Sequence, residues 1–379
     1  MTVVDLRNIR ASDAGLVGPK MARLGQLAAD GWRVPDGYAV TAPALDEWLP
    51  ASARAELDRL LADPASGHRD PPELAVPELA KRARELVESQ PLPSWLEDAV
   101  AAAHGRLATR TGRGAAPPVA VRSSAVSEDG HAASFAGQYE TYLGVSGVDD
   151  VLLHIRRCWA SGFSAHALTY RRRFGGAGPA RAGDLAVGVL ELVDARSAGV
   201  AFTLDPVTGD RGVCVVEGNW GFGESVVSGH VTPDHWTVDR ASGRVLTARV
   251  GAKLTWAAVS PQSGRVMLSP LPGDLAGQAC LSEDEVRYIC EQAAAIEAAT
   301  GGVPQDVEWA VARDRELPDS VYILQHRPET TWASASPAPG RAAPGAGAQA
   351  DPAAPAEPPA KAFDPVQYAL RNVFKVPGS

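Results

Sequence analysis

The sequence predicts an α+β fold with a helical front portion and a sheet-rich remainder. Two observations predict it. Apolar residues recur at helical spacing through most of the first 110 residues, and from Pro117 onward short apolar runs alternate with Gly, Pro and Asp turns. The composition agrees, because 45% of the 379 residues are hydrophobic and 21% are charged. That balance is typical of a folded globular protein and excludes a mostly disordered or fibrous chain.

The individual elements follow from these two patterns. Pro19 suits a first helical turn and Gly31 a helix end. Helices are predicted at 19–30, 42–49, 51–61, 72–88, 94–107, 148–170 and 282–300. Strands are predicted at 119–121, 185–193, 199–204, 213–217, 235–238, 245–254, 307–311 and 321–325.

Four units are predicted along the chain: a first subdomain at 1–185, a second at 186–330, a linker at 331–362 and a short amphipathic helix at 363–379. Ala, Pro and Gly supply 22 of the 29 residues 332–360, which is typical of a semi-rigid linker. The terminal helix either folds back onto its own domain or docks on a partner chain, and the pattern favours neither.

Charge and cysteine usage exclude several classes of protein. With 36 Lys and Arg against 45 Asp and Glu, the net charge is −9, which disfavours nucleic-acid binding through a broad basic face. No signal peptide and no run of 18 apolar residues is present, so a cytoplasmic location without a membrane partner is predicted. The cysteines have no metal-ligand spacing and are predicted to be buried reduced thiols: Cys158, Cys214, Cys280 and Cys290.

The turn Gly18-Pro19-Lys20 opens the first predicted long helix. Free N–H groups and the positive end of the helix dipole favour an anion there, and Lys20 adds a charge. The alternative is an ordinary helix start with a surface lysine.

A second segment runs from a strand directly into Arg122 and Ser123. An arginine at a strand end can bind two phosphate oxygens, and adjacent hydroxyl groups and small residues allow close backbone approach. The run SFAG at 134–137 favours a flexible loop that closes over a ligand. The alternative is a structural ion pair of Arg122 with Glu128 or Asp129.

Two further segments place carboxylates beside strands. Glu217 and Glu224 bracket a glycine-rich loop, which suits metal-bound phosphate, the alternative being a turn with solvated acids. Glu308 and Gln325 are polar residues inside apolar strands and are candidate oxygen ligands for Mg²⁺, with Arg327 meeting a phosphate. The alternative is a buried Glu308–Arg327 ion pair.

Taken together, these motifs resemble the ATP-binding domain of the phosphoenolpyruvate synthase and pyruvate phosphate dikinase family over roughly residues 10–330. The resemblance implies an ATP-grasp fold with ATP between two subdomains. It also implies a dikinase reaction, in which ATP gives its β-phosphoryl group to a histidine on a swivelling domain and AMP and phosphate are released. The matching stretches are GPKMARLGQLAADGWRVPDGYAVT, VAVRSSAVSEDGHAASFAGQYETYLGV, CWASGFSAHALTYR, AGVAFTLDPVTGD, GNWGFGESVVSGHVTPDHW, PQDVEWAV and YILQHRPET.

The resemblance implies a role for each matching residue. Lys20, Arg122 and Arg327 correspond to phosphate-binding residues, with Ser123 beside Arg122. Glu308 and Gln325 correspond to Mg²⁺ ligands. The segment 189–193 matches the hinge that reads adenine through backbone groups, with Glu191 and Val193 as candidates, and Glu217 and Glu224 lie near the phosphates. Gly18-Pro19-Lys20 replaces the usual Gly-Gly-Lys and removes one backbone donor.

The family's phosphohistidine motif is not among these residues: none of the eight histidines lies in a Thr-x-His-Ala stretch. His131 belongs to the predicted loop, and strand alternation turns His326 away from Gln325 and Arg327. The sequence therefore resembles a stand-alone ATP-binding subunit, as in phenylphosphate synthase, whose histidine is on a separate partner protein. The alternatives are a kinase that phosphorylates a small hydroxyl compound directly and a non-catalytic nucleotide-binding module.

Overall fold

The computed structural model describes residues 2–61, 75–126, 140–174 and 185–329, together with Trp332. Several predictions lie outside the described residues. They are the closing loop with Glu128, Asp129 and His131, the linker 331–362 apart from Trp332, and the helix 363–379.

The α+β class is confirmed, and most predicted elements overlap observed ones. The helices are α1 Ala14–Ala29, α2 Ala42–Trp48, α3 Ala51–Leu61, α4 Ala75–Glu88, α5 Ser94–Thr111, α6 Val148–Ser161, α7 Ala165–Phe174, α8 Glu224–Val227, α9 Gly273–Ala276 and α10 Glu283–Ala299. The strands are β1 Val3–Asp5, β2 Gly37–Val40, β3 Val119–Ala125, β4 Thr141–Val145, β5 Leu185–Glu191, β6 Ala195–Phe202, β7 Val213–Trp220, β8 Asp234–Asp239, β9 Val245–Arg249, β10 Thr255–Val259, β11 Val266–Pro270, β12 Gln305–Ala312 and β13 Val321–Pro328.

The first sheet is antiparallel, with the strand order β1-β2-β5-β3-β4. Helices α2 to α6 pack against it around a shared apolar core, in which the Trp48 and Trp159 rings stack with centroids 5.0 Å apart. The predicted helix 148–170 is two helices, α6 and α7, because the chain turns at Gly162.

The second sheet is also antiparallel, with the order β13-β12-β6-β7-β8-β9. Helix α10 covers one face, where Ile289 and Ile296 pack with Val307 and Trp309. Its first turn is closed by a capping box in which Ser282 and Glu285 exchange hydrogen bonds with each other's main chain. Alternate strand positions place their apolar side chains on this face. The polar side chains at the intervening positions of β12 and β13 therefore lie on the opposite face.

Strand β5 belongs to the first sheet, where it pairs with both β2 and β3. The boundary predicted at residues 185 and 186 therefore falls at the beginning of a first-sheet strand. The chain changes sheets only after Glu191, in the three residues that precede β6. Sequence patterns cannot locate this change, because strand β5 and strand β6 are both apolar runs of similar length.

Three further features complete the described fold. The four cysteines are buried and free, as predicted. Trp332 anchors the beginning of the predicted linker, because its indole N–H donates to the carbonyl oxygen of Pro206 at 3.1 Å. Within the described part of the chain, no helix combines the length and the apolar character that crossing a membrane requires.

Candidate functional site

Helix α1 is interrupted at Gly18, two residues before Lys20. Gly18 has φ 73° and ψ 157°, which a side chain would make unfavourable, and regular helix resumes at Pro19. A Cβ at Gly18 would also overlap the hydroxyl and carbonyl groups of Ser124. The N–H of Met21 donates to Ser124 Oγ at 3.4 Å. Lys20 is therefore fixed in the first turn of a helix that packs directly on the end of β3.

Arg122 extends from β3 in the first sheet to β13 in the second. Its Nη1 donates to the carbonyl oxygen of Leu324 at 3.4 Å, and its Nη2 donates to Gln325 Oε1. Its Nε is buried and has no hydrogen-bond partner among the described residues. A buried guanidinium donor without a partner is costly, and a bound anion would satisfy it.

Ser123 is not brought together with Arg122. Successive strand residues point to opposite faces, and the Ser123 hydroxyl donates to the carbonyl oxygen of Glu140 at 3.3 Å on the other side of β3. Ser123 therefore holds the main chain of Glu140, at the beginning of the described segment 140–174.

Strands β12 and β13 bring four polar side chains to one face of the second sheet. Asp306 is paired with Arg327, and Glu308 with Gln325, as direct cross-strand neighbours. Nε of Arg327 donates to Asp306 Oδ2 at 2.8 Å, and Nη2 of Arg327 lies 2.7 Å from the same oxygen. Arg327 therefore pairs with Asp306 and not with Glu308, the partner that the sequence suggested as an alternative. The sequence patterns assigned no role to Asp306.

His326 points to the opposite face, as strand alternation predicts. Its Nδ1 lies 3.0 Å from Gln305 Oε1, and burial lowers its pKa from 6.5 to about 4, with a smaller contribution from Arg23. A neutral imidazole in this position belongs to the packed side of the sheet.

Glu217 lies on the same polar face, further along the sheet. It pairs with Val200, which in turn pairs with Glu308, so two strand spacings separate the two carboxylates. Glu217 is buried, and its Oε1 lies 3.2 Å from His235 Nδ1. Glu224 lies apart from this row, in the short helix α8, where partial desolvation raises the pKa of its carboxyl group although much of the side chain is accessible.

The segment between the two sheets carries Glu191 and Val193. Arg113 holds it through two contacts: its Nε lies 3.3 Å from Glu191 Oε1, and its Nη1 donates to the carbonyl oxygen of Leu192 at 3.0 Å. No hydrogen bond joins the main chain of Val193 to another described residue. Both sheets contribute to the apolar cluster around it, which includes Leu192, Ala198, Phe222, Ala257, Ala310 and Tyr322.

Sequence reasoning missed the hairpin of β10 and β11, whose alternation is weak. Its tip reaches the first sheet's helices: Arg265 forms an ion pair with Asp150 at 2.7 Å and contacts His154 Nε2 at 3.2 Å. Burial lowers the pKa of His154, which favours a neutral ring beside this arginine. The hairpin is a separate two-stranded sheet that bridges through Ala257 to Gly221 and Phe222, just after β7, so its tip links that region to helix α6.

Helix α1 packs against both β3 and β13, and the region where these three elements meet is called the cleft below. Its chemistry suits a phosphate-bearing ligand accompanied by a hard cation. Lys20, Arg122 and Arg327 offer positive charge, and Glu308 and Gln325 offer oxygen donors. Among the described residues, no three His, Cys, Asp or Glu side chains form a metal cage. Mg²⁺ fits such a site, since it takes one or two protein ligands and completes its shell with phosphate oxygens and water.

The fold and this site define a class of protein: an α+β protein with two large antiparallel sheets and a cleft lined by cations and carboxylates. Residues 14–343 match the family described as the pyruvate phosphate dikinase AMP/ATP-binding domain. The match covers most of the chain, so the chain belongs to this family.

Curated relatives agree with this membership. A probable phosphoenolpyruvate synthase of Staphylothermus marinus is 35% identical over 350 residues, which cover 87% of this chain and 41% of the relative. One of Methanothermobacter thermautotrophicus is 36% identical, with coverages of 86% and 45%. A rifampicin phosphotransferase of a Streptomyces species is 39% identical over 330 residues, covering 87% and 36%. The chain thus spans less than half the length of these relatives.

Proposed function

We propose that this chain is an ATP-grasp phosphotransferase module that binds Mg-ATP between its two sheets. It transfers the β-phosphoryl group of ATP to a histidine on a separate protein, while AMP leaves and the γ-phosphoryl group passes to water and is released as phosphate. The histidine protein then passes its phosphoryl group to a small acceptor. The observation that carries the proposal is the meeting of Arg122 from one sheet with Gln325 from the other. Family membership supports ATP as the ligand.

In this proposal three cations bind the phosphates. Arg122 is anchored by a backbone carbonyl and has one buried donor to spare, Nε, for a phosphate oxygen. Arg327 approaches from the adjacent strand, and Lys20 approaches from the helix start held by Ser124. Phosphoryl transfer needs positioning and charge neutralisation more than covalent chemistry, so three cations from three separate elements suit it.

Glu308 and Gln325 are the residues that would hold Mg²⁺. They are direct cross-strand neighbours, so their oxygens converge within the reach of one ion. A bound ion would supply positive charge that neutralises the phosphates. Gln325 Oε1 accepts a hydrogen bond from Arg122, and the second lone pair of this oxygen would be available to the ion.

Adenine is proposed to lie against the segment between the sheets. The main chain of Val193, which has no partner among the described residues, supplies hydrogen-bonding groups for the base edge, and the surrounding apolar cluster supplies surface for its faces. Glu191, held by Arg113, accepts from the base or the ribose. Glu217 lies two strands away from Glu308 and is a more distant candidate for the phosphates.

The acceptor histidine lies outside these 379 residues in this proposal. None of the eight histidines is in the family's Thr-x-His-Ala context, and His326 is neutral, buried and on the face away from the cleft. The proposed partner is a swivelling histidine domain outside these residues, which the proposal places on a separate protein.

The test uses ATP radiolabelled at the β-phosphate, the purified chain and a candidate histidine-domain protein. Label on the partner together with AMP supports the proposal, and loss of labelling when the partner histidine is replaced is the matched control. Label found only on released phosphate, or AMP formed with a small hydroxyl compound and no second protein, would contradict it. Tight ATP binding without turnover under any condition would favour a non-catalytic module.

A further inference from the structure

The ion pair of Asp306 with Arg327 is asymmetric. Two nitrogens of the guanidinium lie close to the single oxygen Oδ2 of Asp306: Nε donates to it at 2.8 Å, and Nη2 lies 2.7 Å from it. The carboxylate is 8% exposed, whereas the arginine side chain is 38% exposed. The pair is therefore anchored at its acidic end, and its cationic end extends toward the cleft.

A second carboxylate lies within reach of the same arginine. Glu308 is two residues from Asp306 in β12, so both side chains are on one face, and Glu308 is the diagonal neighbour of Arg327 across the strand pair. Diagonal neighbours in an antiparallel pair are about 7–8 Å apart, which a long side chain spans. An Arg327–Glu308 ion pair is thus sterically accessible, and the chain forms the Asp306 ion pair instead.

The two possible ion pairs have opposite consequences for a cation. An arginine bound to Glu308 would occupy the carboxylate that the proposed function assigns to Mg²⁺, and the positive guanidinium would repel the ion. An arginine bound to Asp306 leaves Glu308 available and remains directed at the phosphates. Gln325, the other proposed ligand, is neutral and cannot compete for the guanidinium as an ion.

We propose that Asp306 is a positioning residue that holds Arg327 away from Glu308 and so keeps the Glu308 carboxylate available for the divalent cation. This inference rests on the proposed function of the cleft. In this proposal Asp306 acts through Arg327.

Three variants of the full chain test this inference: D306N, D306E and D319N. The measurement is the Mg²⁺ concentration that gives half-maximal ATP binding, determined by titration calorimetry, with circular dichroism as a check of folding. We expect the half-maximal Mg²⁺ concentration to rise about tenfold or more in D306N, because Arg327 loses a charged hydrogen-bonding partner. D306E restores much of the wild-type dependence. D319N is the matched control, since it removes an arginine–aspartate ion pair with Arg33 outside the cleft.

A double variant separates positioning from a merely structural role. If Asp306 acts through Arg327, then D306N added to R327Q leaves the Mg²⁺ dependence of R327Q unchanged, because the competing cation is already gone. An equal loss from D306N with and without Arg327 would overturn the inference, as would wild-type Mg²⁺ dependence in the folded D306N variant. Failure of the wild-type chain to bind Mg-ATP would instead overturn the proposed function itself.

Discussion

Two of the aspartate–cation pairs in the second half of the chain differ in their surroundings. Asp234 and Lys253 form an ion pair in which both side chains are fully buried. Asp234 also accepts from the N–H groups of Gly251 and Cys280, each at 2.8 Å, and Lys253 donates to the carbonyl oxygen of Gln278 at 2.9 Å. Asp306 and Arg327, by contrast, form a pair whose cation is partly exposed in the cleft.

The difference teaches which charges serve the fold and which serve a ligand. A fully buried charge needs fixed partners on every side, so the Asp234 pair ties β8 to the segments around 251–253 and 278–280. A partly exposed cation can contact solvent or a ligand while it keeps its carboxylate partner. The buried Asp234–Lys253 pair is predicted to control stability, and the partly exposed Asp306–Arg327 pair to control binding.

The largest effect on stability is expected from breaking the buried Asp234–Lys253 ion pair. Asp234→Asn leaves Lys253 buried without its counter-charge, and we expect a loss of about 3–5 kcal/mol in the free energy of unfolding. Urea denaturation measures this loss, and Asp319→Asn, on an exposed ion pair, is the control with a loss of about 1 kcal/mol or less. Equal losses in the two variants would show that burial does not distinguish these pairs.

The next largest effect is expected from removing a cation of the proposed binding site. Arg122→Ala removes the guanidinium that crosses between the sheets, and we expect Mg-ATP binding to weaken about ten- to a hundredfold, the range for a lost charged hydrogen bond. Calorimetric titration measures the dissociation constant. Arg122→Lys keeps the charge without the planar geometry and should give an intermediate value. Unchanged affinity in Arg122→Ala would remove this arginine from the binding site.

A pH series extends the contrast to a neutral buried group. Burial lowers the pKa of His326 from 6.5 to about 4, so between these values the unfolded chain binds a proton that the folded chain does not. Stability is therefore expected to fall as the pH drops from about 6.5 toward 4, and to be insensitive to this group above that range. Urea midpoints at pH 7 and pH 5 should differ less for His326→Gln than for the wild type. The same difference in both proteins would contradict this assignment.

The smallest effect is expected at the hairpin tip. Arg265 and Asp150 join the hairpin to helix α6 through a partly exposed ion pair at 2.7 Å. We expect Arg265→Ala to cost about 1 kcal/mol or less in the free energy of unfolding, because solvent screens such a pair. Thermal denaturation checks this, with Arg287→Ala on the outer surface of α10 as the control. A loss as large as that of Asp234→Asn would mean that the hairpin contact behaves as a buried one.

Local patterns explain why most elements could be predicted from the sequence. The core of α10 repeats at helical spacing, and its Ser282 and Glu285 form a capping box that is recognisable from four residues. The short strands β1, β2, β4, β10 and β11 were not predicted, because three to five residues carry too little periodicity. The break at Gly162 was missed for a similar reason, since the apolar spacing continues across it.

The candidate site divides in the same way. The sequence by itself indicated which residue types carry charge beside strand ends, and it determined the family, because motif order is a property of the chain alone. Strand alternation was enough to turn His326 away from the cleft. The opposite orientation of Ser123 follows from the same rule.

Only the tertiary structure decided which of these residues meet. Arg122 contacts Gln325 from 203 positions away in the chain, and Arg327 pairs with Asp306 although Glu308 is only two residues further along β12. Strand register decides the second pairing, and the packing of two sheets decides the first. Both depend on contacts summed over whole elements, which no short stretch of sequence contains. The sequence therefore determined the chemistry that was available, and the fold decided which charges pair and which are left for a ligand.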